Sequence, residues 1–161
     1  MVRPATAADA PAICRIYNHY IETTRITFEE TPITAEEVMA RISSVITNYP
    51  WLVCEEGGRV IGYAYATRWK ERSAYRYSVE AGIYLDRESI GKGTGTALLT
   101  RLIHELRERK IHSIISGIAL PNPASIALCE KLGFVKIGQF KEVGFKLGQW
   151  VDVGYWELIL R

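Results

Sequence analysis

Apolar positions in this chain switch several times between the period of a helix and the period of a strand. Ile13, Ile16, Tyr17, Tyr20 and Ile21 follow the spacing of one amphipathic helix face. Its start is open between Thr6, with Asp9 three residues on, and Asp9 itself, followed by Pro11. A second helix opens with Thr34-Ala35-Glu36-Glu37, a capping-box spacing. Its stripe is Val38, Met39, Ile42, Val45 and Ile46, and Pro50 is its stop. Trp51-Leu52-Val53-Cys54-Glu55 then reads as a strand running to Gly57-Gly58, a two-residue hairpin signal, with a return strand from Val60 to Trp69. Tyr77, Val79, Ala81, Ile83 and Leu85 alternate with Ser78, Glu80, Gly82 and Tyr84, which predicts another strand. A glycine-rich segment, residues 90–96, precedes a third helix marked by Ala97, Leu98, Leu99, Leu102, Ile103 and Leu106. A buried strand follows at 113–119, then a helix from Pro123 to Leu132 closed by Gly133. The last strands run from Phe134 to Phe140 and from Val153 to Leu160. The expected order is β-α-α-β-β-β-α-β-α-β-β. This is an α/β chain with a mixed, mostly antiparallel sheet and one parallel step around the glycine-rich segment.

Composition narrows the class. The chain has 161 residues, 48% hydrophobic and 24% charged, which predicts one soluble globular domain over 1–161. Lys plus Arg is 20 and Asp plus Glu is 18, a net +2 that predicts no nucleic-acid partner. No apolar run approaches the ~18 residues of a membrane span, and the first residues lack the apolar stretch of a secretory signal. Cys14, Cys54 and Cys129 are scattered, the pattern of reduced thiols in a cytoplasmic protein. His19, His104 and His112 form no ligand spacing with them, so no metal is expected.

Candidate chemistry centres on Gly91-Lys92-Gly93-Thr94-Gly95-Thr96. Glycine permits positive φ and removes the Cβ, so backbone N–H groups can converge on an anion. The helix behind adds unpaired N–H groups and the positive end of its dipole. Together they suit a phosphate or pyrophosphate. The Walker A pattern fails because Lys92 is followed by Gly93, and the dinucleotide fingerprint fails because position 96 is Thr. Glu80 lies in an apolar strand. A central strand would desolvate its carboxylate and raise its pKa, making a general base; an edge strand would leave it in water.

Strand, Gly-x-Gly-x-Gly loop and helix, followed by Asn122-Pro123-Ala124-Ser125 and Leu128-Cys129-Glu130-Lys131-Leu132-Gly133-Phe134, resemble the GNAT superfamily of acetyl-CoA-dependent N-acetyltransferases. Nearly the whole chain resembles its phosphinothricin acetyltransferase group, which includes acetyltransferases of methionine sulfoximine and methionine sulfone. Asn18-His19-Tyr20-Ile21, Tyr49-Pro50-Trp51-Leu52-Val53, Trp69-Lys70-Glu71-Arg72, Tyr77-Ser78-Val79-Glu80, Gly144-Phe145-Lys146 and Trp150-Val151-Asp152-Val153-Gly154 match its blocks.

The resemblance implies a GNAT-like acyl-CoA N-acyltransferase fold and a homodimer with the C-terminal strands near the partner. It implies that Gly91, Lys92, Gly93, Thr94, Gly95 and Thr96 hold the pyrophosphate of acetyl-CoA. Ile83, Tyr84 and Leu85 would bond the pantetheine arm through their main chain, and Asn122 would contact the cofactor. Glu80 matches the general base, and Phe28, Arg72, Ser73, Ala74 and Tyr75 would wall the substrate pocket. Two positions depart from the superfamily: Ile90, where Gln or Arg is usual, and Cys129, where Tyr or His is common. The expected reaction is direct acetylation of the primary amine of a small amino acid or analogue. The rival readings are a protein or peptide acetyltransferase and a CoA-binding sensor without activity.

Overall fold

In the computed structural model, which describes residues 1–161, β1 (Val2–Pro4) leads through a 3-10 turn at Ala7–Asp9 into α1 (Ala10–Thr23). Both candidate start signals are in use. The Asp9 carboxylate accepts the Thr6 N–H at 2.8 Å and both Arg3 guanidinium N–H groups at 2.9 Å, and Pro11 follows in the first helical turn. Helix α2 (Ala35–Ile46) starts at Thr34, whose hydroxyl accepts the Glu37 N–H at 3.1 Å. Its buried stripe is narrower than its periodicity suggests. Val38 and Ile42 are buried, whereas Met39 and Ile46 face solvent, because α2 covers only the edge of the sheet.

Strands β2 (Trp51–Glu56) and β3 (Arg59–Arg68) join through Gly57-Gly58, both at positive φ, the turn that matches strand twist. Then come β4 (Ser78–Leu85), α3 (Thr94–Glu108), β5 (Ser113–Ala119), α4 (Pro123–Lys131), β6 (Val135–Lys146) and β7 (Gln149–Ile159). The element order is the expected one, but the last two strands are longer and meet in a tight hairpin at Leu147-Gly148. Sheet order is β1-β2-β3-β4-β5-β7-β6, and β4 with β5 is the parallel pair.

Helices cover both faces. Alternation sends Leu52, Ala64, Ala66 and Val79 to one face, under α3 and α4, where Leu98, Leu102 and Leu106 are fully buried. Each such leucine stabilises the fold by about 1.5–3 kcal/mol through burial. The opposite face carries Trp51, Val53, Tyr63, Tyr65 and Tyr84 against α1 and α2. Its aromatic rings form a ladder in which Trp51 and Tyr65 stack at 4.5 Å.

Strands β4 and β5 pair only from Ser78↔Ser113 to Glu80↔Ile115, and β5 then continues alongside β7. Beyond that point β4 and β5 diverge and leave a cleft in the middle of the sheet. That divergence positions the site.

Candidate active site

The cleft begins at Glu80. Its strand is central, between β3 and β5, so the water-exposed edge-strand alternative does not apply. Glu80 lies on the α1 and α2 face, across from Thr67 on β3, and is half-buried. Burial pushes its carboxyl above the usual carboxylate range, and Lys70 opposes this only partly. Glu80 makes no ion pair. Tyr65 and Thr67 share its cavity of about 120 Å³, and the Tyr65 ring lies over Gly82. A Cβ at Gly82 would stand 2.7 Å from that ring, so glycine lets the aromatic wall close beside the carboxylate. Tyr155 on β7 flanks the other side, its ring edge-on to Trp69 at 6.0 Å.

The walls of the cleft are main chain. The Ser78 carbonyl and the Asp86 N–H both bond to the β3 side, at Trp69 and Ile61. By strand alternation the peptide groups of Ala81, Ile83 and Leu85 face the cleft. The main chain of Ile83 and Leu85 therefore borders the cleft, where the Leu85 carbonyl accepts the Tyr20 hydroxyl. Tyr84 is a correction: its main chain pairs with Tyr63 on β3, and only its side chain reaches the cleft. The opposite wall is built by Ser116, Gly117, Ile118 and Ala119 of β5 and by Ser125, Leu128 and Cys129 of α4. The Cys129 thiol is raised by burial and lies 3.8 Å from the Ser116 hydroxyl. It borders the cleft as well as the core, which apolar periodicity alone did not reveal. Asn122 caps α4, its Oδ1 accepting the Ser125 N–H at 3.3 Å, and this bond leaves its amide NH2 free at the cleft.

The cleft continues into an apolar channel of about 130 Å³, bordered by Ile26, Ile83, Asn122, Leu128 and Ile90. Ile90 brings an apolar side chain to the mouth. Beyond it, Gly91 and Gly93 hold φ of 80° and 84°. The first bond of α3 runs from the Ala97 N–H to the Gly93 carbonyl at 3.0 Å, and no N–H of residues 91–96 donates to another backbone group. Six successive donors at a helix start form a cradle for an anion. The expected loop is shorter than the sequence suggests, because Thr94, Gly95 and Thr96 form the first turn of α3. Gly95 is buried there, and a Cβ would come within 3.2 Å of Leu128 at the cleft wall. A channel leading to unpaired amides fits a pyrophosphate-bearing thioester cofactor. No cluster of metal-ligating side chains is present.

The expected acceptor wall is only partly assembled. Phe28 packs its ring over Gly144 of β6, where a Cβ would stand 2.3 Å away. Arg72, Ser73, Ala74 and Tyr75 are exposed on the turn before β4 and do not border the cavity around Glu80. A residue with no assigned role, Lys146, organises this side instead. It is 2% exposed, and its ammonium donates to the Thr27 carbonyl at 2.8 Å and the Tyr20 carbonyl at 3.4 Å. Burial lowers its pKa. Arg25 returns the contact by donating to the carbonyls of Lys146 and Leu147, both at 3.2 Å. The Arg41 guanidinium forks onto Glu29 at 2.9 and 2.6 Å, and Glu29 also accepts the Tyr17 hydroxyl. These bonds fix the segment between α1 and α2. The parity of β6 could have exposed Lys146, since it shares the inward face with Gly144.

A model of the acetyltransferase (GNAT) domain matches residues 2–154. A phosphinothricin N-acetyltransferase of Streptomyces viridochromogenes is 41% identical over 97% of this chain and 85% of its own length. An L-methionine sulfoximine/L-methionine sulfone acetyltransferase of Salmonella typhimurium is 38% identical over 99% of this chain and 94% of its own. Among solved structures, a GNAT superfamily phosphinothricin acetyltransferase from Sinorhizobium meliloti, in complex with acetyl-CoA, superposes with a TM-score of 0.96. It shares 41% identity, covering 99% of this chain and 88% of that one.

Proposed function

The chain belongs to the GNAT acetyltransferase family, and from that premise we propose that it carries an acetyl group from acetyl-CoA to the primary amine of a small amino acid or analogue. The phosphinothricin, methionine sulfoximine and methionine sulfone types are the substrate class. The observation that carries this reading is the cleft itself: a desolvated carboxylate at one end and six unpaired amides at the other. Ile83, Leu85, Asn122 and residues 91–96 hold the cofactor, which supplies the acetyl group as a thioester. Main-chain N–H groups of β4 that face the cleft polarise the thioester carbonyl.

Glu80 takes a proton from the acceptor ammonium, directly or through one water, and frees the amine to attack. Its raised pKa brings it nearer to that of the proton it removes. Holding both reactants in one cleft supplies much of the rate. Phe28 and the 72–75 turn stand outside the cavity around Glu80 and serve in this reading as the outer rim of the acceptor site. Arg72 makes no ion pair within its own chain and grips the acceptor's α-carboxylate in a fork.

The chain works as a homodimer in the cytoplasm. Val135, Ile137, Phe140, Val143, Phe145 and Trp150 project from the β6–β7 edge into solvent, a patch of the kind partners cover. All three cysteines are free, as in a reducing compartment. No helix is long and apolar enough to cross a membrane. Thiol release from acetyl-CoA, measured over phosphinothricin, methionine sulfoximine, methionine sulfone and the ordinary amino acids, tests the reading. Amine-dependent release with at least one analogue is expected, and release with peptides only would overturn it.

A further inference from the structure

One buried charge takes no part in acetyl transfer. Lys146, the last residue of β6, forms no ion pair, although Glu29 and Glu30 lie within electrostatic reach. It borders neither the cavity around Glu80 nor the channel beyond it. Desolvating an ammonium is costly, and an apolar residue of the same length would fill the space at less cost. What only the ammonium can do is donate to several acceptors at once. Its two acceptors belong to different segments: the Tyr20 carbonyl in the last turn of α1, and the Thr27 carbonyl in the chain beyond. The first is an orphan carbonyl at the negative end of the helix dipole, where a cation is favoured. The Thr24 hydroxyl donates to that same carbonyl and accepts the Ile26 N–H.

These bonds decide where residues 26–28 stand. Thr27 gives its carbonyl to Lys146, and Phe28 lies over Gly144, two positions back on the same face of β6. With Thr27 and Phe28 both seated on β6, Ile26 turns to the cleft, where it borders the cavity around Glu80 and the channel. Tyr20 extends the linkage, since its hydroxyl donates to the Leu85 carbonyl at the end of β4. A residue near the far end of the chain thus shapes a wall that it does not touch.

Building on the acetyltransferase reading, we propose that Lys146 is a positioning residue for the acceptor amine: its buried ammonium holds residues 26–28 against β6, and the wall so formed sets how tightly the amine binds. The C-terminal hairpin is thereby part of the amine site. The amides of residues 91–96 lie outside this linkage, and Glu80 acts on the amine once it is bound. The contribution of Lys146 therefore belongs to the amine KM.

The test measures steady-state constants for methionine sulfone or phosphinothricin, whichever the wild type turns over faster, and acetyl-CoA affinity by calorimetry. Lys146→Met, similar in length and uncharged, should raise the amine KM by about tenfold or more, with kcat and acetyl-CoA affinity each within about threefold, the scale of hydrogen bonds to one charged group. A merely structural role would instead lower the active fraction, and with it the apparent kcat, at constant KM. Arg25 donates to the Lys146 and Leu147 carbonyls, so Arg25→Gln should raise the amine KM by about threefold. Combined with Lys146→Met it should add less than its separate effect, because the two residues support the same segment. Arg25→Gln keeps the ammonium and decides the matter if Lys146→Met does not fold. An unchanged amine KM in either folded variant, a loss confined to kcat, or fully independent effects would overturn the assignment alone. A wild-type chain that acetylates no amino acid or analogue would overturn the functional reading and this inference with it.

Discussion

Glu80 holds a carboxylate where its surroundings resist the charge. In the unfolded chain it ionises near the usual value, about 4.3. In the fold, burial raises that value, so neither state bears the cost of ionisation at pH 4 and only the folded state bears it at pH 7. Stability attributable to this residue therefore falls as pH rises from about 4 through the raised folded pKa. Glu80→Gln should match the wild type in thermal unfolding near pH 4 and exceed it near pH 7. The same change should lower turnover by about 10²–10⁴-fold, and acetyl-CoA should still bind. The acidic limb of the rate profile should flatten with it. Equal unfolding midpoints at both pH values would show that the carboxylate is not desolvated. Glu80 was legible in the sequence as a carboxylate within a strand, but not whether that strand was central, because spacing along one strand does not show its neighbours.

Helix α3 shows how an element can be found while its edge is misjudged. Three alternating glycines mark a loop, and two of them hold positive φ as a loop requires. Gly95 instead sits in the first turn of the helix, where a Cβ would crowd the Leu128 side chain at 3.2 Å. Sequence spacing cannot separate a glycine needed for φ from one needed for room. Gly93 is the first kind. It caps α3 at φ 84°, with nothing within 4 Å of an added Cβ. Gly93→Ala should cost about 1–2 kcal/mol through backbone strain alone. It should also weaken acetyl-CoA binding in calorimetry, since Thr94–Thr96 amides would turn away. Unchanged affinity would exclude the cradle as the pyrophosphate site. The stripe of α2 fails differently: Met39 and Ile46 fit the period but look out past the sheet edge.

Across the whole molecule, strand order was readable only as far as its single parallel step. The splay of β4 from β5 after Glu80 was not, because spacing along the chain does not show where pairing between two strands stops. The C-terminal hairpin carries the exposed apolar patch. Phe145 and Trp150, 55% and 64% exposed, pack against each other at 4.8 Å on its outer side. Trp150→Glu should shift the chain from dimer to monomer in analytical ultracentrifugation while Glu80 and the cradle stay folded. A wild-type chain that sediments as a monomer would place that patch outside any self-association.

Lys146 and Arg25 tie residues more than a hundred positions apart. Contacts of such long separation assemble late in folding, because the intervening chain must close first. The cradle at the start of α3 is local and needs no such clasp. A population still folding would thus acquire its grip on the nucleotide first and its choice of amine afterwards, passing through a species able to hold its donor with nothing selected to receive it.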